Sequence, residues 1–349
     1  MESFPATAIS SALLSWGTGH LRLLPWRANR SIYGTIVSEF MLQQTRVQTV
    51  IPYFIRWTQR FPTLECVANA DDEEILKHWE GMGYYSRARN LRRLCQILCQ
   101  MVTFPQTPEE WQLLPGVGPY TATAISAIGQ NFDAIALDGN IIRILARLIG
   151  CCENFENKIA AATYLKSHAI SLIIPGRCAL LNEALMDLGA MICTPRGRFC
   201  DVCPLKDFCQ THRRKLPMDA IPAFVRFVSK NEIVHRLLVL RGGKVLLQTS
   251  QLKRLHAIRE FPKLLLENTL CQSPCFVGRR IIGSYHYEEQ FFSADELFFE
   301  LIDFHRGTVE WVSISELEDV VLSGPHRRWL PRLLELSINA RIGDWKIHL

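Results

Sequence analysis

Residues 113–138, LLPGVGPYTATAISAIGQNFDAIALD, decide how the rest of this chain is read. Pro115-Gly116-Val117-Gly118-Pro119 cannot continue a helix, because the prolines lack an amide donor and the glycines tolerate left-handed backbone. Pro119 suits a first helical turn, and Ala122, Ala124, Ile125, Ala127 and Ile128 then supply good helix formers with an apolar stripe. The turn therefore ends in a helix N-terminus whose free amides, around Gly116, Gly118 and Thr121, can hold a phosphate without reading a base. That is the physical content of a helix-hairpin-helix; a tight turn between two core helices is the plainer alternative. Past it, Ile135-Ala136-Leu137 is apolar and Asp138-Gly139-Asn140 breaks the run. Asp138 either caps the next helix, residues 141–148, or is delivered there as a functional acid.

Working back from the hairpin, residues 31–45, SIYGTIVSEFMLQQT, read as a mostly apolar helix in which Glu39, Gln43 and Gln44 are the exceptions. Glu39 shares a face with Ile36 and Leu42, three residues to either side. Apolar neighbours disfavour the ionised form and raise a carboxyl pKa, as a general acid requires near neutral pH. A carboxylate at the edge of the stripe, rotated into solvent, is the competing reading. Gln43 and Gln44 carry donors and acceptors, so they suit either a base edge or the cap of a buried backbone group. Earlier still, residues 6–16 start a helix, and Leu24-Pro25-Trp26-Arg27 is expected to be extended because Pro25 restrains Leu24. Trp26 and Arg27 in such a loop can stack on a base and hydrogen-bond to it; a core Trp beside a surface Arg fits the same pattern.

Residues 47–61 and 71–79 form further amphipathic helices, the second opened by acids suited to its N-terminus. In residues 80–90, EGMGYYSRARN, two glycines around Met82 make a mobile tip with a soft apolar point, the shape of a wedge between bases, with Tyr84 next to it. Arg87, Arg89, Arg92 and Arg93 follow at once, a basic patch on a helix expected to face solvent. Beyond the hairpin, residues 156–192 give two helices, with Glu183 and Asp187 at i,i+4 on one face of the second. Cys193, Cys200, Cys203 and Cys209 come next, with six, two and five residues between them. Four thiols in so short a loop signal metal. Zinc prefers two short Cys-x2-Cys knuckles, whereas this irregular spacing suits a [4Fe-4S] cluster wrapped by one loop; both stay open, with the cluster favoured.

At 349 residues the chain has room for roughly two or three domains. A net charge of +5 permits a polyanion partner without demanding one. No apolar segment is long enough to span a bilayer and the N-terminus lacks a cationic lead before an apolar core, so a cytoplasmic protein with no membrane contact is expected, nucleoid-associated if bacterial. The other eight of its twelve cysteines then read as free thiols. Residues 211–229 turn basic and proline-bearing, a linker. After it the period changes: residues 233–240, a Gly242-Gly243 turn and residues 244–248 read as a hairpin, 291–292 and 297–304 as strands, and 315–322 and 328–336 as helices. This is a separate, smaller α+β domain over 230–349, without the acidic helix signature of a pyrophosphatase.

The segments LPWR, SEFMLQQT, GMGYYSRARN, LPGVGPYTATAI, ALDGN and NEALMDLGA, together with the four-cysteine loop, closely resemble the adenine DNA glycosylases of the MutY family. The resemblance is dense over residues 20–210 and looser beyond. It implies an all-α helix-hairpin-helix catalytic region over 1–210, split into a six-helix barrel (31–138) and a cluster domain (1–30 with 139–210), then a Nudix-like lesion-recognition domain. It implies a monomer that binds double-stranded DNA, flips out adenine mispaired with 8-oxoguanine or guanine, and cuts only the N-glycosidic bond. Carried over by motif, Glu39 protonates the adenine, Asp138 stabilises the sugar cation and Tyr120 lies beside them. Trp26, Arg27 and Glu183 line the base pocket, Met82 wedges the stack, and Gln44 and Thr45 contact the orphaned base. The endonuclease III branch shares hairpin and cluster but carries a lysine where this chain has Tyr120. A mismatch glycosylase of other base specificity, or a non-catalytic DNA-binding module, are the alternatives. In the C-terminal domain the resemblance leads to a Phe-Ser-His recognition turn, for which Phe292-Ser293-Ala294 is the local candidate. It lacks the histidine, which His286 replaces only if the loop folds back.

Overall fold

The computed structural model describes residues 4–196, 199–217, 221–224, 230–250, 258–264, 273–282, 285–293 and 307–340. The chain divides into two compact units. One comprises Met1–Ala68 with Asn90–Arg226, the other Asn69–Arg89 with Phe227–Leu349. The grouping of residues 69–89 with the C-terminal part departs from the boundary expected at the linker, and it follows from tertiary contacts that adjacency in sequence does not reveal.

The helices in order are α1 (Ala6–His20), α2 (Pro25–Ala28), α3 (Ile32–Leu42), α4 (Val47–Arg60), α5 (Leu64–Asn69), α6 (Asp72–Trp79) and α7 (Ser86–Leu98). They continue with α8 (Pro108–Gln112), α9 (Pro119–Ala124), α10 (Gly139–Ile149), α11 (Lys158–Ser171), α12 (Cys178–Met191), α13 (Gln210–Arg213) and α14 (Gly324–Ala340). Short polar side chains start many of them. Ser31 accepts from the Gly34 amide at 3.0 Å, Asp71 from Glu74 at 2.7 Å, and Thr107 with Glu110 forms a reciprocal capping box. Gly150, at φ +64, ends α10 in the left-handed conformation glycine supplies without cost.

In the first unit α10 is the central element. Its Ile141, Ile144, Leu145 and Leu148 pack with Ile9 and Leu13 of α1, Leu165 of α11 and Leu181, Leu185 and Leu188 of α12 into one buried core. Two differences from the sequence expectation concern its edge. Pro25–Ala28 is helical rather than extended, because Pro25 occupies a first-turn position and only Leu24 (φ −109, ψ 139) stays in the β region. The described parts of the expected linker include docked residues. Thr211 is buried and donates to the Arg147 carbonyl at 2.6 Å, Ile221 joins the core, and β2 (Ala223–Phe224) pairs in parallel with β1 (Asn154–Phe155).

In the second unit β3 (Lys230–Leu238), β4 (Leu240–Arg241), β5 (Lys244–Ser250), β6 (Arg259–Glu260), β7 (Phe276–Ile282), β8 (Tyr285–Ser293) and β9 (Gly307–Ser313) make two sheets. One has the order β3-β8-β7 with β3 parallel to β8; in the other β5 pairs antiparallel with β4, β6 and β9. The Gly242-Gly243 turn, both at positive φ, closes the expected hairpin. Successive apolar residues face opposite ways along a strand. Leu238, Leu247 and Phe291 therefore enter one core with Leu330 and Leu333 of α14, while Leu237, Leu246 and Phe292 enter another. Residues 315–322 are not the expected helix but a 3-10 turn, Ile314–Glu316, followed by irregular chain. The expected strand at 297–304 lies outside the described residues.

Candidate active site, hairpin and cysteine loop

Helix α3 buries Glu39 at 6% exposure, on the apolar face that the sequence offered it. Removal from water pushes its carboxyl from 4.5 up to about 7, opposed by a hydrogen bond with Tyr120 and by the charge of Arg27, and reinforced by the charge of Asp138. Tyr120, on the first turn of α9, is in turn held well above the usual phenol range by burial and by the two carboxyls. Glu39, Tyr120 and Asp138 thus meet electrostatically across three elements that are far apart in the chain.

Asp138 is the N-cap of α10. Its Oδ1 accepts from the Ile141 amide at 2.7 Å and its Oδ2 from the Asn140 amide group at 2.9 Å. The cap and the acid are therefore one residue rather than alternatives. Burial pushes the Asp138 carboxyl upward, while the Ile141 and Asn140 donors and the nearby Arg143 pull it back. Asn182 of α12 fixes the incoming strand-like segment, accepting from the Ala136 amide at 2.7 Å and donating to the Ala134 carbonyl at 2.9 Å. A π-helical turn, Ile125–Gly129, joins α9 to this segment.

The pair Glu183 and Asp187 forms a buried acidic row on α12. Asp187, with no exposed side-chain surface, takes Arg27 at 2.7 Å and Arg22 at 2.6 Å; Glu183 takes Arg27 at 3.4 Å and Arg30. Arg27 is thereby held beside Glu39. Trp26 is half-buried, edge-on to Phe54 with ring centroids 5.4 Å apart. Helix α3 ends at Leu42, short of the expected Thr45. Gln43 caps it and donates to the Thr121 hydroxyl at 3.2 Å, which ties α3 to the hairpin helix. Gln44 is exposed at φ +58, a strained conformation of the kind that clusters at functional surfaces, and Thr45 turns its hydroxyl to the Gln43 carbonyl.

At the hairpin, Gly116 has φ +77, and a Cβ there would fall 2.6 Å from Asn90 Cβ and 2.9 Å from a Phe40 ring carbon. Gly118 caps α9 with open space on the side where a Cβ would stand. The first glycine is demanded by the fold; the second leaves the helix N-terminus accessible.

Four sulfurs line one small cavity: Cys193, Cys200, Cys203 and Cys209, joined by Arg147, Lys206 and His212. Burial pushes the Cys203 thiol up to about 11, and the charges of the other three cysteines add to this. Such a donor set is relieved by a cationic group at its centre. Among the described residues no three His, Cys, Asp or Glu side chains converge tightly enough to clasp a single metal ion. Two arginines that the sequence reading missed hold the loop from α10. Arg147 donates to Cys193 Sγ at 3.3 Å and the Thr194 carbonyl at 2.9 Å, and Arg143 to the Cys193 carbonyl at 2.8 Å and Asn140 at 2.9 Å. Asn140 bonds Asp138, so a continuous polar chain runs from the cysteine loop to the acid. Their i,i+4 spacing on an otherwise apolar helix was the available signal.

In the second unit the 80–90 segment corrects two expectations. Met82 is buried, and the exposed apolar point is Tyr84, at 43% exposure and φ +49. Arg87 and Arg89 are buried rather than solvated. Arg87 donates to the Met82 and Gly83 carbonyls at 3.2 and 3.1 Å and lies over the Trp79 and Tyr84 rings, its pKa pulled down to about 10 by burial; Arg89 faces Asp72 at 3.6 Å. Arg93 alone of the four is well exposed. Ser293 is the last residue of β8, paired with Leu238, not part of a turn; Ala294 lies outside the described residues. His286 sits seven positions earlier on the same strand, about 23 Å away, and cannot replace a histidine beside Ser293.

Residues 37–167 match the HhH-GPD superfamily of base excision DNA repair proteins. The chain is similar to that superfamily over this stretch. It is 41% identical over 219 residues to the adenine DNA glycosylase of Rattus norvegicus, covering 60% of this chain and 42% of that one. It is 40% identical over 194 residues to the adenine DNA glycosylase of Buchnera aphidicola subsp. Baizongia pistaciae, covering 55% and 54%. The match spans about half the length of these relatives. A thermostable thymine-DNA glycosylase structure shares the fold with a TM-score of 0.52 at 25% identity, over 59% of this chain and 95% of that one. No described helix is long and apolar enough to cross a membrane.

Proposed function

We propose that this protein is a monofunctional DNA N-glycosylase that flips adenine out of mispairs with 8-oxoguanine or guanine in double-stranded DNA and hydrolyses it from the sugar. The observation that carries the reading is the buried Glu39 carboxyl, hydrogen-bonded by Tyr120 and facing Asp138, with a pKa pushed up to about 7. At neutral pH about half of the molecules hold the proton there. Glu39 gives that proton to a ring nitrogen of adenine; the C1′–N bond breaks, and its electron pair leaves with the base. Asp138, its oxygens held by N–H donors, stays the anion that stabilises the sugar cation. Water then adds to C1′ and its proton returns to Glu39, leaving an abasic site. Tyr120 supplies no amine, so no imine with the sugar forms at the hairpin.

The amides at Gly116 and Gly118 hold the phosphate backbone, Gln44 and Thr45 face the orphaned base, and Tyr84, with Met82 packed beneath, opens the stack. The cysteine loop holds a [4Fe-4S] cluster through Cys193, Cys200, Cys203 and Cys209. The irregular spacing of four sulfurs that line one cavity favours a polynuclear group over zinc. Those four cysteines would hold the cluster and so fix the loop, which Arg143 and Arg147 join to α10. The second unit is Nudix-like, as its mixed sheet with parallel β3 and β8 supports, and reads the lesion near Ser293. The protein acts as a monomer in the cytoplasm, at the nucleoid if bacterial. The test is single-turnover excision on an A:8-oxoguanine duplex with borohydride trapping in parallel. Free adenine without a covalent adduct is expected; no base release, or an adduct matching product yield, refutes the assignment.

A further inference from the structure

We infer that the segment 317–327 positions the 81–84 loop, so that the C-terminal part of the chain sets how Tyr84 is presented to the duplex. This rests on the reading of that loop as the element that opens the base stack. The loop is conformationally demanding: Gly81, Gly83 and Tyr84 all have positive φ, at 95, 70 and 49. The glycines adopt it without cost, but a non-glycine residue such as Tyr84 stays there only where its surroundings over-determine it. From within, Arg87 bonds the carbonyls of Met82 and Gly83. From outside, both stems of the loop are tied to one segment. On the first stem, Glu80 pairs with Arg327, whose other nitrogens are committed to the Leu317 carbonyl at 2.7 Å and the Val320 carbonyl at 2.5 Å. On the second, the buried Tyr85 donates its hydroxyl to the Leu322 carbonyl at 2.8 Å. Between the stems the Gly324 and Gly81 backbones are neighbours: a Cβ on Gly324 would stand in ordinary contact with the Gly81 oxygen, at 3.7 Å.

Arg327 is thus a positioning residue. Its guanidinium locks the 317–320 turn to the first stem, and the side chain of Glu80 is only 10% exposed, so removing Arg327 leaves that carboxylate with Lys77 alone, 3.7 Å away. Tyr85 is an independent probe of the second stem, because Tyr85→Phe deletes one hydroxyl and keeps the ring.

The experiment uses the full chain and an A:8-oxoguanine duplex carrying 2-aminopurine next to the target adenine, whose fluorescence rises when the stack opens. Arg327→Ala is expected to cut the fluorescence rise and the single-turnover excision rate roughly tenfold at saturating protein, and Tyr85→Phe roughly threefold. The reversed pair Glu80→Arg with Arg327→Glu should recover part of the loss. Parental fluorescence and rate in both single variants overturn the inference, as does an Arg327→Ala defect explained by a lowered Tm while Tyr85→Phe is silent. A parent protein that neither opens the duplex nor releases adenine would instead refute the functional reading beneath it.

Discussion

Glu39→Gln separates the chemistry of the site from its stability. The folded-state pKa of Glu39 lies above its unfolded value, so the stabilisation from its protonated form is complete below 4.5 and is lost as pH rises through about 7. The interval between those two values is worth about 3 kcal/mol. Above neutrality the native protein therefore carries a buried carboxylate at that cost. Glutamine keeps the shape and stays neutral, and the Tyr120 hydroxyl can donate to its oxygen. Allowing about 1 kcal/mol for an imperfectly bonded amide, Glu39→Gln should stabilise the first unit by about 2 kcal/mol near pH 8 and destabilise it by about 1 kcal/mol near pH 4. For a unit of this size the change at pH 8 is a rise of roughly 4 to 8 °C in Tm. The same variant should bind the mispaired duplex nearly as the parent does and release no adenine, because an amide has no proton to give. Thermal unfolding of both proteins at the two pH values, beside single-turnover excision, makes the comparison. A variant less stable than the parent at pH 8, or one that still excises, would show that Glu39 is neither buried as a strained acid nor the proton donor.

The remaining expectations concern its neighbours. The Tyr120 hydrogen bond lowers the Glu39 pKa, so Tyr120→Phe should move the alkaline limb of the pH–rate profile upward from about 7 by roughly one pH unit; an unmoved or lowered limb contradicts the contact. Asp138→Asn should lose roughly a hundredfold or more in excision rate at unchanged duplex affinity, measured under single turnover, and a rate within a few-fold of the parent excludes its electrostatic role. Purified protein should be brown, and Cys200→Ser should lower iron and sulfide content together; colourless parent protein with stoichiometric zinc reverses the metal assignment. Gly116→Ala should destabilise by roughly 3 kcal/mol through positive φ and contact with Asn90 and Phe40, whereas Gly118→Ala should alter stability by less than about 0.5 kcal/mol and weaken duplex binding. Paired unfolding and binding curves test the contrast.

What the sequence determined by itself is local. Short-range chemistry marked the hairpin glycines, the acids that open the helix from Asp71, the cap at Asp138, the Gly242-Gly243 turn and the four-cysteine loop, because each depends on backbone preference or on ligands only a few residues apart. The apolar face around Glu39 was legible too, since helical periodicity puts Ile36 and Leu42 beside it. Only the tertiary structure decided which charges meet. Arg27 could have been a solvated base contact; it is locked to Asp187 and Glu183, some 160 residues away, and to the field of Glu39. Arg87, read from sequence as surface charge, is buried against its own loop, and Met82, expected at an exposed tip, is buried while Tyr84 is exposed. Asp138 is a partly buried cap, and the removal of its carboxyl from water pushes its pKa upward. The physical reason is common to all four. Whether a charge is solvated, paired or desolvated depends on surfaces brought together by folding, and a sequence window carries the residue's chemistry without the dielectric around it.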